Sequence, residues 1–364
     1  MKKSFLLYID MMERGGAQRV FANLIQHLVD AQMDVVLVND YELASDASQY
    51  PVDERVRRYY LRKSLEGNKI LKNIERVVRL RRIVKQEKPD VVLSFLGRPN
   101  KRMLLATIGL STKKIVSVRN DPNREYASGG LSKWFARNLF RLADGCVFQT
   151  EEAANYFPRA IQKKSTVILN PVDLKFFDIL RAEETHHIVT VGRLESQKNQ
   201  RMLIKAFAEI AREFPEEKLI IYGNGALREE LENLCECLHV TERVEMPGNI
   251  PNIEKALSEA KVFVLSSDYE GLPNALMEAM AVGLPCISTD CPCGGPRSLS
   301  GKDQCVYLTP VGDEKELAAA LRTLLENDEQ REMLGRTART KGETFKPEII
   351  LEQWDKFLLE NSKG

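Results

Sequence analysis

Apolar residues fall along this chain in short runs, each bounded by turn residues and followed by a segment of helical periodicity. In the first half the runs Ser4–Ile9, Val35–Val38, Asp90–Phe95, Lys114–Val118, Gly145–Gln149 and Ser165–Leu169 predict strands. Unbroken apolar runs suit strands covered on both faces, as in parallel sheets. Helical spacing predicts helices over Ala17–Val29, Lys69–Glu87 and Leu131–Leu142. The second half restarts the alternation, with strands His187–Val191, Lys218–Tyr222, Val244–Met246, Val262–Ser266 and Cys286–Thr289. Helices are predicted over Gln200–Phe214, Leu227–His239, Ile253–Glu259, Asn274–Val282 and Glu314–Glu326, with a final amphipathic helix over Pro347–Asn361. Strand–helix alternation of this kind predicts an α/β protein of two doubly wound, Rossmann-like domains facing across a cleft, joined near Asn170–Asp178. Ligands bind such sheets outside the carboxyl ends of the strands. The informative loops therefore follow Ile9, Ser94, Val118, Val191, Tyr222, Met246 and Ser267.

Length and composition fit that picture. The chain has 364 residues, 43% of them hydrophobic, enough for two domains with real cores. No apolar run approaches the ~18 residues of a membrane span, and Phe5–Ile9 is too short for a signal-peptide core. The expected compartment is the cytoplasm. The seven cysteines are scattered and the histidines number four; Cys235/Cys237 and Cys291/Cys293 are spaced C-x-C, not as zinc ligands usually are. Neither disulfides nor a metal site is expected.

Net charge is +1, but residues 1–170 hold 30 Lys and Arg against 18 Asp and Glu. That asymmetry points the first half toward something anionic. Nucleic acid is disfavoured, because no aromatic-rich strand motif or zinc module is present. An anionic membrane surface or a lipid diphosphate fits better, with a solvated surface as the alternative. In the helix from 70 to 84, the apolar face of Ile70, Ile74, Val77, Val78 and Val84 is expected to pack on the sheet. Its cations Lys72, Arg76, Arg79, Arg82 and Lys85 either are solvated or touch phospholipid or a lipid-linked diphosphate.

The stretch Glu270-Gly-Leu-Pro-Asn-Ala-Leu-Met-Glu278 carries the most chemistry. It reads as a strand-end loop, then a helix with Pro273 at its first position, Gly283 at its C-cap and Pro285 beyond. A helix start suits phosphate, and eight helical residues span about 12 Å. The two carboxylates either bracket a ligand the length of a sugar nucleotide or are an ordinary loop and helix Glu. Arg193 and Lys198, five residues apart at a strand end, suit a diphosphate or form a solvated turn. Gly15-Gly16, Gly223-Asn224-Gly225 and Pro247-Gly248-Asn249-Ile250 are strand-end turns where backbone can approach a ligand closely, or simple turns. Arg119-Asn120-Asp121-Pro122 either orients an acceptor hydroxyl or sugar, or is an Asn/Asp-Pro turn. No G-x-G-x-x-G dinucleotide fingerprint is present.

Together and in this order, these motifs resemble the retaining GT-B glycosyltransferases of family four. The carriers are Gly15-Gly16-Ala17-Gln18-Arg19, Asn170-Pro171-Val172-Asp173, Gly192-Arg193-Leu194 with Gln197-Lys198-Asn199, Tyr222-Gly223-Asn224-Gly225, Pro247-Gly248-Asn249 and the Glu-x7-Glu segment. The sequence around Val118 looks like the branch that builds polysaccharides and lipid-linked oligosaccharides. The resemblance implies an N-terminal acceptor-binding domain over 1–172 and a C-terminal nucleotide-sugar-binding domain over 173–347, with a helix over about 348–364 packing back on the first. It also implies that Arg193 and Lys198 hold the donor diphosphate and that Glu270 meets the donor sugar. Gly271, Leu272, Asn274, Ala275 and Leu276 would meet sugar and phosphate, Glu278 the ribose, Asn249 and Ile250 the base. Gly223 would belong to the same donor site, and Gly15 and Gly16 would close over the phosphates. Arg119 and Asn120 would contact the acceptor or sugar.

The implied reaction moves a hexose or N-acetylhexosamine from a UDP-sugar to a lipid-linked or polysaccharide acceptor at the cytoplasmic membrane face. The acceptor is deprotonated by the leaving phosphate, with no cofactor and no metal. A sugar-nucleotide epimerase and a non-catalytic sugar-nucleotide binding protein are the alternatives. The chain departs from the family where Cys291-Pro-Cys-Gly-Gly-Pro296 runs into Arg297-Ser298-Leu299 without an acidic residue. It departs again where Lys302-Asp303-Gln304 replaces an apolar Asn-Gly turn, and where Asn120 stands in the neighbourhood of a histidine.

Overall fold

The computed structural model describes residues 2–13, 15–42, 49–62, 69–126, 130–181 and 185–361, without the side chains of 69 and 70. Residues 1–169 and 351–364 form one compact unit and 170–350 another. The first unit is built on β1 (Ser4–Tyr8), β2 (Asp34–Tyr41), β3 (Arg57–Arg62), β4 (Val91–Phe95), β5 (Lys113–Ser117), β6 (Gly145–Phe148) and β7 (Ser165–Val167). They pair in the order β3-β2-β1-β4-β5-β6-β7, and every pairing is parallel. Phe5 of β1 lies opposite Val35 on one side and Val91 on the other.

The second unit holds β8 (His187–Val191), β9 (Lys218–Tyr222), β10 (Val244–Gly248), β11 (Val262–Leu265), β12 (Cys286–Thr289) and β13 (Tyr307–Thr309). Their order is β10-β9-β8-β11-β12-β13, again all parallel. Each sheet reverses its winding beside its first strand, between β1 and β4 and between β8 and β11. At such a switch point the loops diverge and leave a crevice at the carboxyl ends. The two doubly wound sheets are those the apolar runs predict.

Several elements lie outside the sequence prediction, each for a physical reason. Strand β3 (Arg-Arg-Tyr-Tyr-Leu-Arg) is an edge strand whose charged positions hide the apolar run, as edge strands commonly do. Strand β13 is the three-residue opposite edge of the second sheet. Helix Gly97–Ala106 begins Gly-Arg-Pro, residues that usually interrupt helices. Helix Asp328–Gly342 buries only Arg331, Gly335, Ala338 and Gly342, so it lacks an apolar stripe. Its small residues serve close packing instead. A Cβ on Gly335 would lie 2.6 Å from the Gly283 carbonyl oxygen, and one on Gly342 would lie 2.9 Å from Ala281 Cα. Arg339 of the same helix donates to the Ala281 carbonyl and, at 2.6 Å, to that of Phe177. This helix thus seats the C-terminal end of helix Asn274–Val282.

Helix Lys69–Glu87 corrects two expectations. Leu80 and Val84 face the core, whereas Leu71, Ile74 and Val78 are exposed, so the expected apolar face is partly turned outward. Arg76, expected among surface cations, is buried at 8% exposure, its Nε 3.2 Å from Asp40 Oδ2. Buried, it needs a carboxylate more than it needs solvent. The side chain of Ile70 lies outside the described residues. Helix Pro347–Asn361 joins the first unit from Leu351 onward, where Trp354 is fully buried and stacks on Phe95 at 5.6 Å. Residues 362–364 of the predicted terminal helix lie outside the described residues.

Because the Gly335–Gly283 approach involves backbone, it cannot relax by a side-chain rotation. Gly335→Val is expected to lower the stability of the second unit by about 1–3 kcal/mol, the range of core overpacking. Urea unfolding checks this; an unchanged midpoint would show that the helix pair has room to spare.

Candidate functional site

In the second unit, the loops after β8 and β11 meet at the switch point. The β8 loop (192–199) carries Arg193 and Lys198, and the β11 loop (266–273) carries Glu270. Lys198 Nζ donates to Glu270 Oε1 at 2.5 Å, and Ser267 Oγ donates to the same oxygen at 2.7 Å. The carboxylate is buried. A partly desolvated ion pair of this kind is held in one geometry by the hydrogen bonds around it.

Further bonds zip the two loops together. Asp268 N donates to Gln197 O at 2.9 Å, Gln197 Nε2 to Tyr269 O at 3.0 Å, and Ser266 Oγ to Lys198 O at 2.9 Å. Asn199 sits in the left-handed region at φ 44. Its amide nitrogen binds Asp268 at 2.7 Å, and its carbonyl caps the next helix through Met202 N at 3.2 Å. Asn tolerates that backbone better than most residues, which explains its place directly after Lys198.

Glycines let the neighbouring loops close in. Gly223, at φ 136, follows β9, and a Cβ there would lie 1.9 Å from the Gly192 carbonyl oxygen. A Cβ on Gly225 would lie 2.3 Å from the Leu194 carbonyl oxygen. The β9 turn therefore stacks directly on the β8 loop. Gly248 O accepts from Gly223 N at 3.0 Å, which brings the end of β10, with exposed Asn249 and half-buried Ile250, into the same row of loops.

The Glu270–Glu278 segment folds as loop and helix, with one shift. Pro273 is the N-cap with extended backbone, and the helix starts at Asn274. The cap offers no side-chain bond and the first turn holds no acid, so the positive end of the helix is uncompensated by neighbours in sequence. Asn274 Oδ1 accepts from Asn170 at 2.5 Å, fixing the helix start to the linker. Gly271 and Leu272 are buried, Asn274 and Ala275 half-buried, and Leu276 and Glu278 buried. A Cβ on Gly295 would lie 2.1 Å from Gly271 O, so the loop after β12 closes against this segment. Gly283 ends the helix at φ 85, as its position suggests. The structure thus gathers Lys198, Glu270, Gly271–Leu276, Gly223 and Asn249 at adjacent strand ends. Arg193 is placed differently: its side chain is 67% exposed and its guanidinium donates to Glu195 Oε1 at 2.9 Å. A phosphate would offer it a bidentate partner in place of that exposed carboxylate.

In the first unit, Gly15 caps helix Gly16–Asp30 just beyond β1. Arg119 is buried, not a surface contact: its guanidinium lies 4.9 Å over the Phe95 ring and donates to Ser117 Oγ at 3.4 Å. Burial pushes its pKa down to about 9. Asn120 is half-buried, and its Oδ1 accepts from Asp121 N at 2.8 Å.

The motif reading passes over two groups here. Asp40 binds Tyr8 at 2.7 Å and Arg102 at 2.5 Å besides Arg76. Glu125 accepts from Gly97 N at 2.6 Å through Oε1, at the start of helix Gly97–Ala106, while its Oε2 is buried without a hydrogen-bond partner. Burial pushes Glu125 up to about 7, against the weaker pull of Gly97 N–H, Lys101 and Arg119. Nothing in the local spacing marks either residue, since their partners are distant in sequence.

Two family models match the chain: Glycosyltransferase Family 4 over residues 14–176 and Glycosyl transferases group 1 over residues 172–341. An N-acetylgalactosamine-N,N'-diacetylbacillosaminyl-diphospho-undecaprenol 4-alpha-N-acetylgalactosaminyltransferase from Campylobacter jejuni is 27% identical, over 97% of this chain and 98% of its own length. An uncharacterized glycosyltransferase from Methanocaldococcus jannaschii is 30% identical over 63% of this chain, and the match spans 62% of that relative. Among solved structures, HepE from Anabaena in complex with UDP superposes with a TM-score of 0.81 at 18% identity, covering 99% of this chain and 100% of that one. That likeness shows the fold, which is GT-B.

The buried Glu125 carboxylate generates a pH prediction. Its folded-state pKa is raised from 4.5 to about 7, so folding takes up a proton between those values and stability falls as pH rises through them. Glu125→Gln keeps an acceptor for Gly97 N–H and removes the buried charge. Its melting temperature is expected to match wild type near pH 5 and to exceed it by a growing margin toward pH 8. Thermal unfolding across that range checks this; a pH-independent difference would contradict it.

Proposed function

The chain belongs to the family-four glycosyltransferases and is a transferase of glycans, and on that premise we propose the following reaction. The enzyme moves a hexose or N-acetylhexosamine from a UDP-sugar, with retention, to a lipid-linked or polysaccharide acceptor at the cytoplasmic face of the membrane. The observation that carries the reading is the Lys198–Glu270 pair at the switch point of the second sheet. Lys198 has three N–H donors, so it can keep Glu270 and still meet a phosphate oxygen. Glu270 Oε1 already takes Lys198 and Ser267, which leaves its second oxygen to accept from a sugar hydroxyl.

In this reading the diphosphate lies against the start of helix Asn274–Val282, between the pair and Arg193. Charge develops there as the anomeric C–O bond breaks, and fixed cations and helix-end N–H groups stabilise it without reorganisation. The acceptor oxygen bonds to the anomeric carbon on the face the phosphate leaves, and its proton passes to the departing phosphate oxygen. No protein base and no metal are needed. Glu278, Asn249 and Ile250 hold the nucleoside. Among neighbours, HepE was crystallised with UDP, and the Campylobacter relative is named for transfer onto a diphospho-undecaprenol glycan. These support the donor and acceptor classes. No helix among the described residues is long and apolar enough to cross a membrane. The basic face of helix Lys69–Glu87, with half-buried Lys72 and exposed Arg79 and Arg82 but not the buried Arg76, is then turned to anionic lipid.

Lys198→Ala and Glu270→Gln should fold, yet lose roughly 10²–10³ in kcat, the scale of losing one transition-state donor. Nucleotide release with a panel of sugar nucleotides measures this, and wild-type turnover in either variant would sink the assignment. The wild-type rate is expected to persist in excess chelator; a loss there would overturn the metal-free mechanism.

A further inference from the structure

The first unit carries an outward apolar stripe that neither its core nor the proposed reaction uses. Helix Gly130–Leu139 packs inward through Ala136 and Leu139. Its residues Leu131, Trp134 and Phe135 are 84%, 64% and 48% exposed. The spacing i, i+3, i+4 puts all three on one face. Burying such a stripe is the usual reason a helix has it, and here it faces outward.

The stripe continues onto its neighbours. Phe135 lines a groove of about 980 Å³ together with Ile74, Val78 and Leu105, all exposed. Leu71, one turn before Ile74 on helix Lys69–Glu87, is exposed as well. Three helices thus contribute to one apolar surface. Scattered apolar residues on a surface are ordinary, but a contiguous patch of this kind marks a contact site.

The charge around the patch identifies what it contacts. The groove is lined by Lys72, Arg98 and Lys101, and its floor holds Arg76 and Arg102. Those two guanidiniums share one carboxylate, Asp40, so the cations left to meet an anionic partner are Lys72, Arg98 and Lys101 of the lining. Apolar and aromatic side chains with a cationic surround match an anionic bilayer: rings enter the headgroup–acyl boundary while cations meet phosphate. Each cation near such a surface adds to the attraction.

We propose that helix Gly130–Leu139 and the adjoining groove dock this enzyme on an anionic lipid bilayer, with Leu131, Trp134 and Phe135 inserted. The inference extends the membrane side of the proposed function and does not depend on its donor chemistry.

Tryptophan fluorescence tests it. The chain has two tryptophans; Trp354 is fully buried, so a lipid-borne quencher reaches Trp134. With vesicles of phosphatidylglycerol and phosphatidylcholine, emission should shift to the blue and be quenched by brominated acyl chains. Phosphatidylcholine alone should bind far more weakly. In flotation, the double variant Trp134→Ser/Phe135→Ser should bind the anionic vesicles roughly 100-fold more weakly, about tenfold for each aromatic removed from the interface. Its melting temperature and its donor turnover without lipid should match wild type. Unchanged vesicle binding by that variant, or Trp134 emission indifferent to vesicles, would overturn the proposal. So would a wild-type dimer in sedimentation that the variant abolishes without any vesicle binding, since a second copy would then cover the face. Intact vesicle binding with no transfer from any sugar nucleotide would uphold the docking surface and count against the proposed reaction alone.

Discussion

A lysine and a glutamate separated by 72 residues in sequence meet at the one place in the second sheet where adjacent loops run apart. Much of the local structure serves that meeting. Asn199 takes a left-handed backbone so that the β8 loop can turn straight into a helix behind Lys198. Ser267 holds the Glu270 carboxylate from the other side. Glycines at 223, 225 and 295 allow two further loops, those after β9 and β12, to close in at distances no side chain would permit. Removing either member of the pair strips a buried or half-buried charge of its partner, which costs more than the intact pair contributes.

The same economy of space governs the helix that follows the Glu270 loop. Helix Asn274–Val282 is buried along most of its length and is gripped at its C-terminal end by the small residues of helix Asp328–Gly342. Its start is tied to the linker by Asn170. A helix fixed at both ends presents its N–H groups in a constant direction, which electrostatic stabilisation of a departing anion requires. The first unit works by other means. Its carboxyl-end loops are held by buried polar groups, Asp40 with two arginines and Glu125 accepting from Gly97 N–H, and its outward face is apolar and basic.

How legible this was depended on how local each signal is. The parallel sheets were readable because strands buried on both faces leave unbroken apolar runs, as in Phe5–Ile9 and Val262–Leu265. That Lys198, Glu270 and Gly223 sit at adjacent strand ends was readable because the spacing of each motif is fixed by loops of few residues. What escaped depended on distant partners. Arg76 reads as a surface cation until Asp40 is seen beneath it. Glu125 has no motif, and its partner is the backbone N–H of Gly97. Helix Asp328–Gly342 shows no apolar stripe because glycine and alanine are its packing surface. Leu71, Ile74 and Val78 have core spacing yet face outward, so periodicity identified the stripe without telling which side of the molecule it covers.

The central claim is a division of labour, Lys198 for the diphosphate and Glu270 for the sugar. Titration calorimetry of UDP and of the matching UDP-sugar against wild type, Lys198→Ala and Glu270→Gln separates the two roles. Lys198→Ala is expected to lose affinity for both ligands. Glu270→Gln is expected to bind UDP as wild type does and to lose the increment the sugar adds. Equal weakening of UDP binding in both variants would contradict it.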